Sequence, residues 1–230
     1  MKRNRKIQFL LLVSGVLAAG SSLYSQEDGR GSFTSGADIY SSYLWRGSNL
    51  GSGPSIQPVV EYSSSLFTAG AWGAFDFDGY QEVDLYFSFS LPAGFSIGMT
   101  DYYSPGLRYF DYSTESGSHA FELNLGFSLK NFSLSANYIF NEAGAVGSAG
   151  NDMYFQAGYS IDPVTIFLGA GNGWHNYDPD TGESTFEICN AGIEVSRTIK
   201  ITESFGIPVT GQLILNPAQE KMYVVVGFTL

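Results

Sequence analysis

The chain has 230 residues, enough for one domain of ordinary size, and carries 11 Lys+Arg against 22 Asp+Glu, a formal charge of −11 at pH 7. That balance argues against nucleic acid as a partner, because a phosphate backbone is held by a basic surface. A single cysteine, Cys189, excludes an intrachain disulfide, and 28 Gly with 16% aromatic and only 14% charged residues suit an all-β chain.

The first element is a targeting segment. Lys2, Arg3, Arg5 and Lys6 precede an apolar run from Ile7 to Ala19, followed by the small residues Ala18, Ala19, Gly20, Ser21, Ser22 and Ser25. The run is shorter than the roughly 20 residues a membrane helix needs. It reads as a signal peptide over residues 1–25, cleaved between about 20 and 26. Loss of its four cations leaves seven Lys+Arg against all 22 acids, a charge near −15. No cysteine lies near the cut to carry a lipid. A short segment, 26–34, then leads into a β domain over 35–230.

Period-2 alternation dominates that domain. Val83, Leu85, Phe87 and Phe89 share one face of a segment whose other face carries Asp84, Tyr86, Ser88 and Ser90. Residues 121–129, 132–138 and 153–159 repeat the design, and the last segment sets Met222, Val224, Val226, Phe228 and Leu230 against Tyr223, Val225, Gly227 and Thr229. The pattern predicts twelve strands, at about 35–47, 54–63, 65–76, 80–91, 94–103, 118–129, 131–141, 151–161, 163–173, 184–196, 206–216 and 220–230. In the tenth, Asn190 and Glu194 share a face with Phe186 and Ile188, which predicts a bulge or slipped register.

Connections alternate in length. Residues 63–65, 91–94, 129–131 and 161–163 are tight turns on one side, with a longer link at 197–205; the other side carries 48–53, 77–79, 104–117, 142–150, 174–183 and 217–219. The long side holds Asp78, Asp111, Glu115, Glu142, Asp178, Asp180 and Glu183 against Arg108. A soluble sandwich would need more exterior charge than this chain has. Turned inside out, the alternation puts Gly, Ser and Asn in a lumen and Leu, Phe and Val against lipid. The expected fold is therefore an all-β, antiparallel, up-and-down transmembrane β-barrel of about 12 strands in a bacterial outer membrane, with periplasmic termini. Its partners would be outer-membrane lipid, lipopolysaccharide and the barrel-assembly machinery. Tyr43, Trp45, Phe75, Phe95, Tyr138, Phe140 and Phe228 near strand ends are candidates for interfacial girdles.

Several short motifs resemble a family of bacterial outer-membrane proteins, the TorF-like porins. They are Tyr43-Leu44-Trp45-Arg46-Gly47, Pro54-Ser55-Ile56-Gln57-Pro58, Gly70-Ala71-Trp72-Gly73, Thr100-Asp101-Tyr102-Tyr103-Ser104-Pro105, Leu215-Asn216-Pro217 and Tyr223-Val224-Val225-Val226-Gly227-Phe228. The resemblance runs from about residue 33 to the C-terminus and implies a porin-like barrel, without naming a solute.

Candidate chemistry follows from strand phase. Arg46, at the end of the first expected strand and opposite in face to Tyr43 and Trp45, would point inward toward Glu61, Glu82, Asp84 or Glu122; Asp152 also faces inward. These residues form either a charged constriction or an interior network that fills the barrel. Glu82 and Asp84, about 7 Å apart on one face by strand rise, resemble paired catalytic carboxylates, but strand periodicity produces that spacing by default. Asp178, Asp180 and Glu183 resemble part of a calcium loop, with too few ligands to be distinguished from an ordinary turn. Gly169, Gly171 and Gly173 lack the helix a phosphate loop requires and suit small inward positions. Ser118 and His119 are adjacent and so point to opposite faces, and Cys189, His119 and His175 have no metal-ligand spacing. The reading is non-enzymatic, with no cofactor and no metal. A narrow channel for small solutes, cation-leaning, comes first; a closed-lumen structural or surface-interaction protein is the alternative.

Overall fold

A computed structural model describes residues 31–176 and 184–230. The expected signal peptide and the Asp178, Asp180 and Glu183 turn lie outside those residues. Twelve strands form one closed barrel: β1 (Ser32–Tyr40), β2 (Ser55–Ser63), β3 (Phe67–Asp76), β4 (Gln81–Ser90), β5 (Phe95–Tyr103), β6 (His119–Leu129), β7 (Phe132–Ile139), β8 (Asp152–Ile161), β9 (Val164–Gly171), β10 (Glu187–Lys200), β11 (Gly206–Asn216) and β12 (Lys221–Thr229). Each pairs antiparallel with its neighbour in sequence, and β1 closes the ring on β12 through Asp38↔Thr229, Ile39↔Phe228 and Tyr40↔Gly227. Closure removes the open sheet edges that a bilayer would not tolerate.

The alternation decides which face is inside. Leu85, Phe87, Phe89, Leu123, Leu125, Leu134, Phe155, Ile166, Leu168, Val224 and Val226 are all exposed on the exterior. Their strand neighbours Asp84, Glu122, Asn137, Tyr154 and Val225 are buried inside. An exposed apolar belt around a polar interior is the arrangement of a transmembrane barrel. One irregularity interrupts it: β9 and β10 pair Gly169↔Asn190 and then Ala170↔Ile188, so Cys189 is the extra residue of a bulge. The expected irregularity of the tenth strand is there. Its cause is that Phe186 and Ile188 face outward while Asn190 and Glu194, of the same parity along the strand, turn inward, which one extra residue makes possible.

Short turns join β2–β3, β4–β5, β6–β7 and β8–β9 at one end, with a longer link, residues 201–205, between β10 and β11. Longer segments emerge at the other end, at 41–54, 104–118 and 140–151, and residues 172–176 leave the barrel there after β9. The first departs from expectation. β1 stops at Tyr40, and residues 41–54 turn into the barrel mouth as a miniature hairpin, Leu44–Trp45 paired with Ser48–Asn49. Arg46 and Gly47 at its tip both have positive φ, 51° and 87°. Two consecutive left-handed residues make the tight turn whose twist suits a hairpin, so the chain reverses where alternation alone would extend it.

Candidate functional site

The reversal carries Tyr43, Trp45 and Arg46 inside the barrel, where all three are buried. Tyr43 and Trp45 are therefore interior residues and do not belong to a lipid-facing girdle. Arg46 is held at the hairpin tip, not on a strand. Its guanidinium grips Glu122 of β6 with two prongs, Nη1 to Oε1 at 2.5 Å and Nη2 to Oε2 at 2.8 Å. It lies 4.6 Å from the ring centroids of both Trp45 and Tyr154. Nη1 also donates to Nε2 of His175 at 3.2 Å, which leaves that imidazole neutral with its proton on Nδ1. Burial first, and the Arg46 charge second, hold His175 well below its ordinary range. A planar fork stacked between two rings and paired to a carboxylate suits arginine and not lysine.

The other contacts of the hairpin are polar or sterically tight. Asn216 of β11 donates to the Gly47 carbonyl at 3.0 Å. A Cβ at Gly47 would collide with the Cys189 carbonyl, so the tip fits against the β10 bulge only as glycine. Tyr102 and Asn124 also donate to Glu122, at 2.9 and 2.7 Å. Trp174 packs edge-on against Trp45 and Tyr102, and with His175 it brings residues 172–176 into the same layer. Together with Trp72, Ala74, Ala120 and Ile139 these groups close the lumen at the long-loop end.

Only one of the four partners expected for Arg46 meets it. Glu122 does. Glu61 lies nearer the short turns, where it accepts from Tyr86 and Ser63, each at 2.8 Å. Glu82 and Asp84 face each other's carboxyl groups on β4, with Tyr80 donating to Glu82. Asp152 is buried at the start of β8, with Oδ2 unpartnered among the described residues. The residues expected to form either a charged constriction or a filling network do not gather at one place. They stand as an Arg46–Glu122 latch, a Glu82–Asp84 pair and isolated carboxyl groups.

Toward the short turns the lumen is different. Ser88, Ser96, Ser128, Ser133, Ser160 and Thr165 face inward and remain half-exposed, with Glu61 and Glu194 among them. Gln212 donates to Glu194 at 2.7 Å. The interior is therefore a polar, acidic vestibule that ends on the buried Arg46 layer.

On the exterior, His119 sits with Asp101 at 2.8 Å on Nδ1, while Nε2 meets the Tyr109 carbonyl. Tyr103, Tyr112 and Phe121 stack around it. The Ser118 hydroxyl donates to the Arg108 carbonyl at 2.6 Å. An Asp–His pair whose second nitrogen is occupied by a carbonyl has no hydroxyl to activate. No group of three or more metal-ligating side chains occurs among the described residues.

Nothing in the sequence places His175, Tyr154 or Asn216 against the Arg46-Gly47 tip. The readable signal was Arg46-Gly47, a turn dipeptide inside an apparent 13-residue strand.

No family model matches the chain, and no curated protein matches it. Among solved structures it is similar to the Salmonella typhi outer membrane phospholipase (OMPLA) dimer with bound calcium, at 13% identity over 89% of this chain and 93% of that one, with a TM-score of 0.41.

Proposed function

We propose that the protein is an outer-membrane barrel of the porin-like type, termini periplasmic, whose narrow cation-leaning conduit is closed in this conformation by the 41–54 hairpin. The observation that carries the reading is the division of the lumen. A Ser/Thr-lined vestibule bearing Glu61 and Glu194 ends on a plug that meets the wall through the two-pronged Arg46–Glu122 ion pair, the Asn216 hydrogen bond and the packing of Tyr43 and Trp45 against Trp72 and Tyr102. The twelve-stranded wall is complete without that hairpin. Acidic residues in the vestibule favour cations and cation-bearing small solutes.

The buried Arg46–Glu122 pair favours a second reading, a permanently closed structural barrel whose outer loops act. Planar-bilayer conductance and liposome swelling with graded sugars and amino acids separate the two. Arg46→Ala leaves Glu122 buried without its cation, at a cost of about 3–5 kcal/mol to the docked state. The expected result is low conductance for the wild type and cation-selective conductance for Arg46→Ala and Glu122→Gln. Correctly folded variants that stay silent would support the structural barrel.

A further inference from the structure

We propose that Glu82 and Asp84 hold one proton between them, and that this proton keeps the 41–54 hairpin docked in the lumen. The inference rests on the reading of that hairpin as a gate. The two residues lie two apart on β4, face the interior and are buried. Their side chains share the lumen face of one strand, and the two carboxyl groups interact with each other. Two carboxylates in contact repel, whereas a carboxylic acid and a carboxylate attract through a strong hydrogen bond.

Independent atoms point to the same proton. Asp84 Oδ1 is buried and receives no hydrogen bond from any described residue. Directly opposite on β3, Trp72 Nε1 is also buried without a partner, so the neighbouring strand supplies Asp84 with no compensating contact. No ion pair to Glu82 or Asp84 occurs among the described residues, and Arg46 is engaged by Glu122. The titratable and charged groups around the pair are Tyr80 on the same side of the barrel, Tyr43 from the hairpin, Tyr102 and Asp101 on β5, and Glu122 on β6. Apart from the Arg46 already paired to Glu122, this set contains acids and phenols only. A second negative charge at the pair has nothing to meet it.

The link to the gate is Tyr43. It belongs to the hairpin and packs on Trp72 and on Tyr80, the phenol that donates to Glu82, as the cover that keeps water from the pair. When the proton leaves to solvent, two like charges remain beneath an aromatic lid. Hydrating them requires the lid, and with it the hairpin, to move.

Cys189 is a built-in reporter, because it is the chain's one cysteine and is fully buried beneath Gly47. The experiment is the rate of its modification by a small charged methanethiosulfonate in detergent-folded protein, from pH 6 to 9.5. Wild type is compared at each pH with Asp84→Asn, which supplies a fixed neutral donor in place of the shared proton. Dividing the two rates cancels the titration of the thiol itself. The expected ratio is near 1 at pH 6 and rises with pH, by up to about tenfold per unit once the proton is lost. A ratio that stays flat overturns the proposal. Glu82→Gln gives the same comparison should Asp84→Asn fail the heat-modifiable mobility test for folding. Absence of conductance in Arg46→Ala would sink the channel reading and leave this one intact, since labelling reads the position of the hairpin and not ion flow.

Discussion

At the scale of single residues, the closed mouth depends on a few side chains with no substitutes nearby. Arg46 accepts a left-handed backbone that costs about 1–2 kcal/mol for a residue with a Cβ. The two-pronged pair and two stacked rings offset that cost. His175 makes the grip sensitive to acid as well. Its lowered folded-state value, against 6.5 for the free group, means the released form binds a proton more readily than the docked one. Stability of the docked state is therefore full above about pH 6.5 and falls as pH drops below it. Cys189 labelling should rise between pH 7 and pH 5 in wild type after correction for thiol titration. In His175→Gln the rise should be absent; an equal rise there would remove His175 from the mechanism.

At the scale of elements, alternation gives each strand two environments with opposite rules. Leu168, midway along β9, is exposed on the outer face. An arginine there would meet hydrocarbon, so Leu168→Arg is expected to lower folding stability in vesicles by about 2–4 kcal/mol, measured by urea titration. Ser135 on β7 faces the vestibule and pairs with Gln156, so Ser135→Arg is expected to change stability little while weakening cation preference. Equal destabilisation at both positions would mean the faces have been exchanged. The β10 bulge is the element-scale exception with a use: the extra residue, Cys189, sets its carbonyl where only glycine at the hairpin tip fits.

At the scale of the whole molecule, a ring of sequence-adjacent antiparallel pairs has one non-local seam, β1 with β12, registered at three pairs. The amide and carbonyl of Ala37 add two hydrogen bonds to Leu230, at 3.1 and 2.9 Å. The last residue thus belongs to the closure. The asymmetry of the connections is the basis of the proposed orientation, with the longer segments outside. Arg108 lies exposed in the 104–118 segment, so trypsin added to intact cells is expected to cut there. Protection of that site in intact cells and cleavage after the inner side is opened would reverse the proposed orientation.

The sequence by itself determined the wall. Twelve period-2 segments, their inward and outward faces, the tight turns and the disturbed tenth strand are all local consequences of side-chain alternation, which a strand cannot alter without exposing its polar face to lipid. Tertiary structure alone decided what fills the mouth. Tyr43-Leu44-Trp45-Arg46 reads as the end of a strand, and although Gly47 permits a turn, no neighbouring residue says that the chain reverses into the lumen. Glu122 lies 76 residues away and His175 lies 129 residues away from Arg46, and both meet it only after the ring closes. A buried cation needs partners that satisfy it simultaneously, and such partners are set by closure of the barrel and not by spacing along the chain.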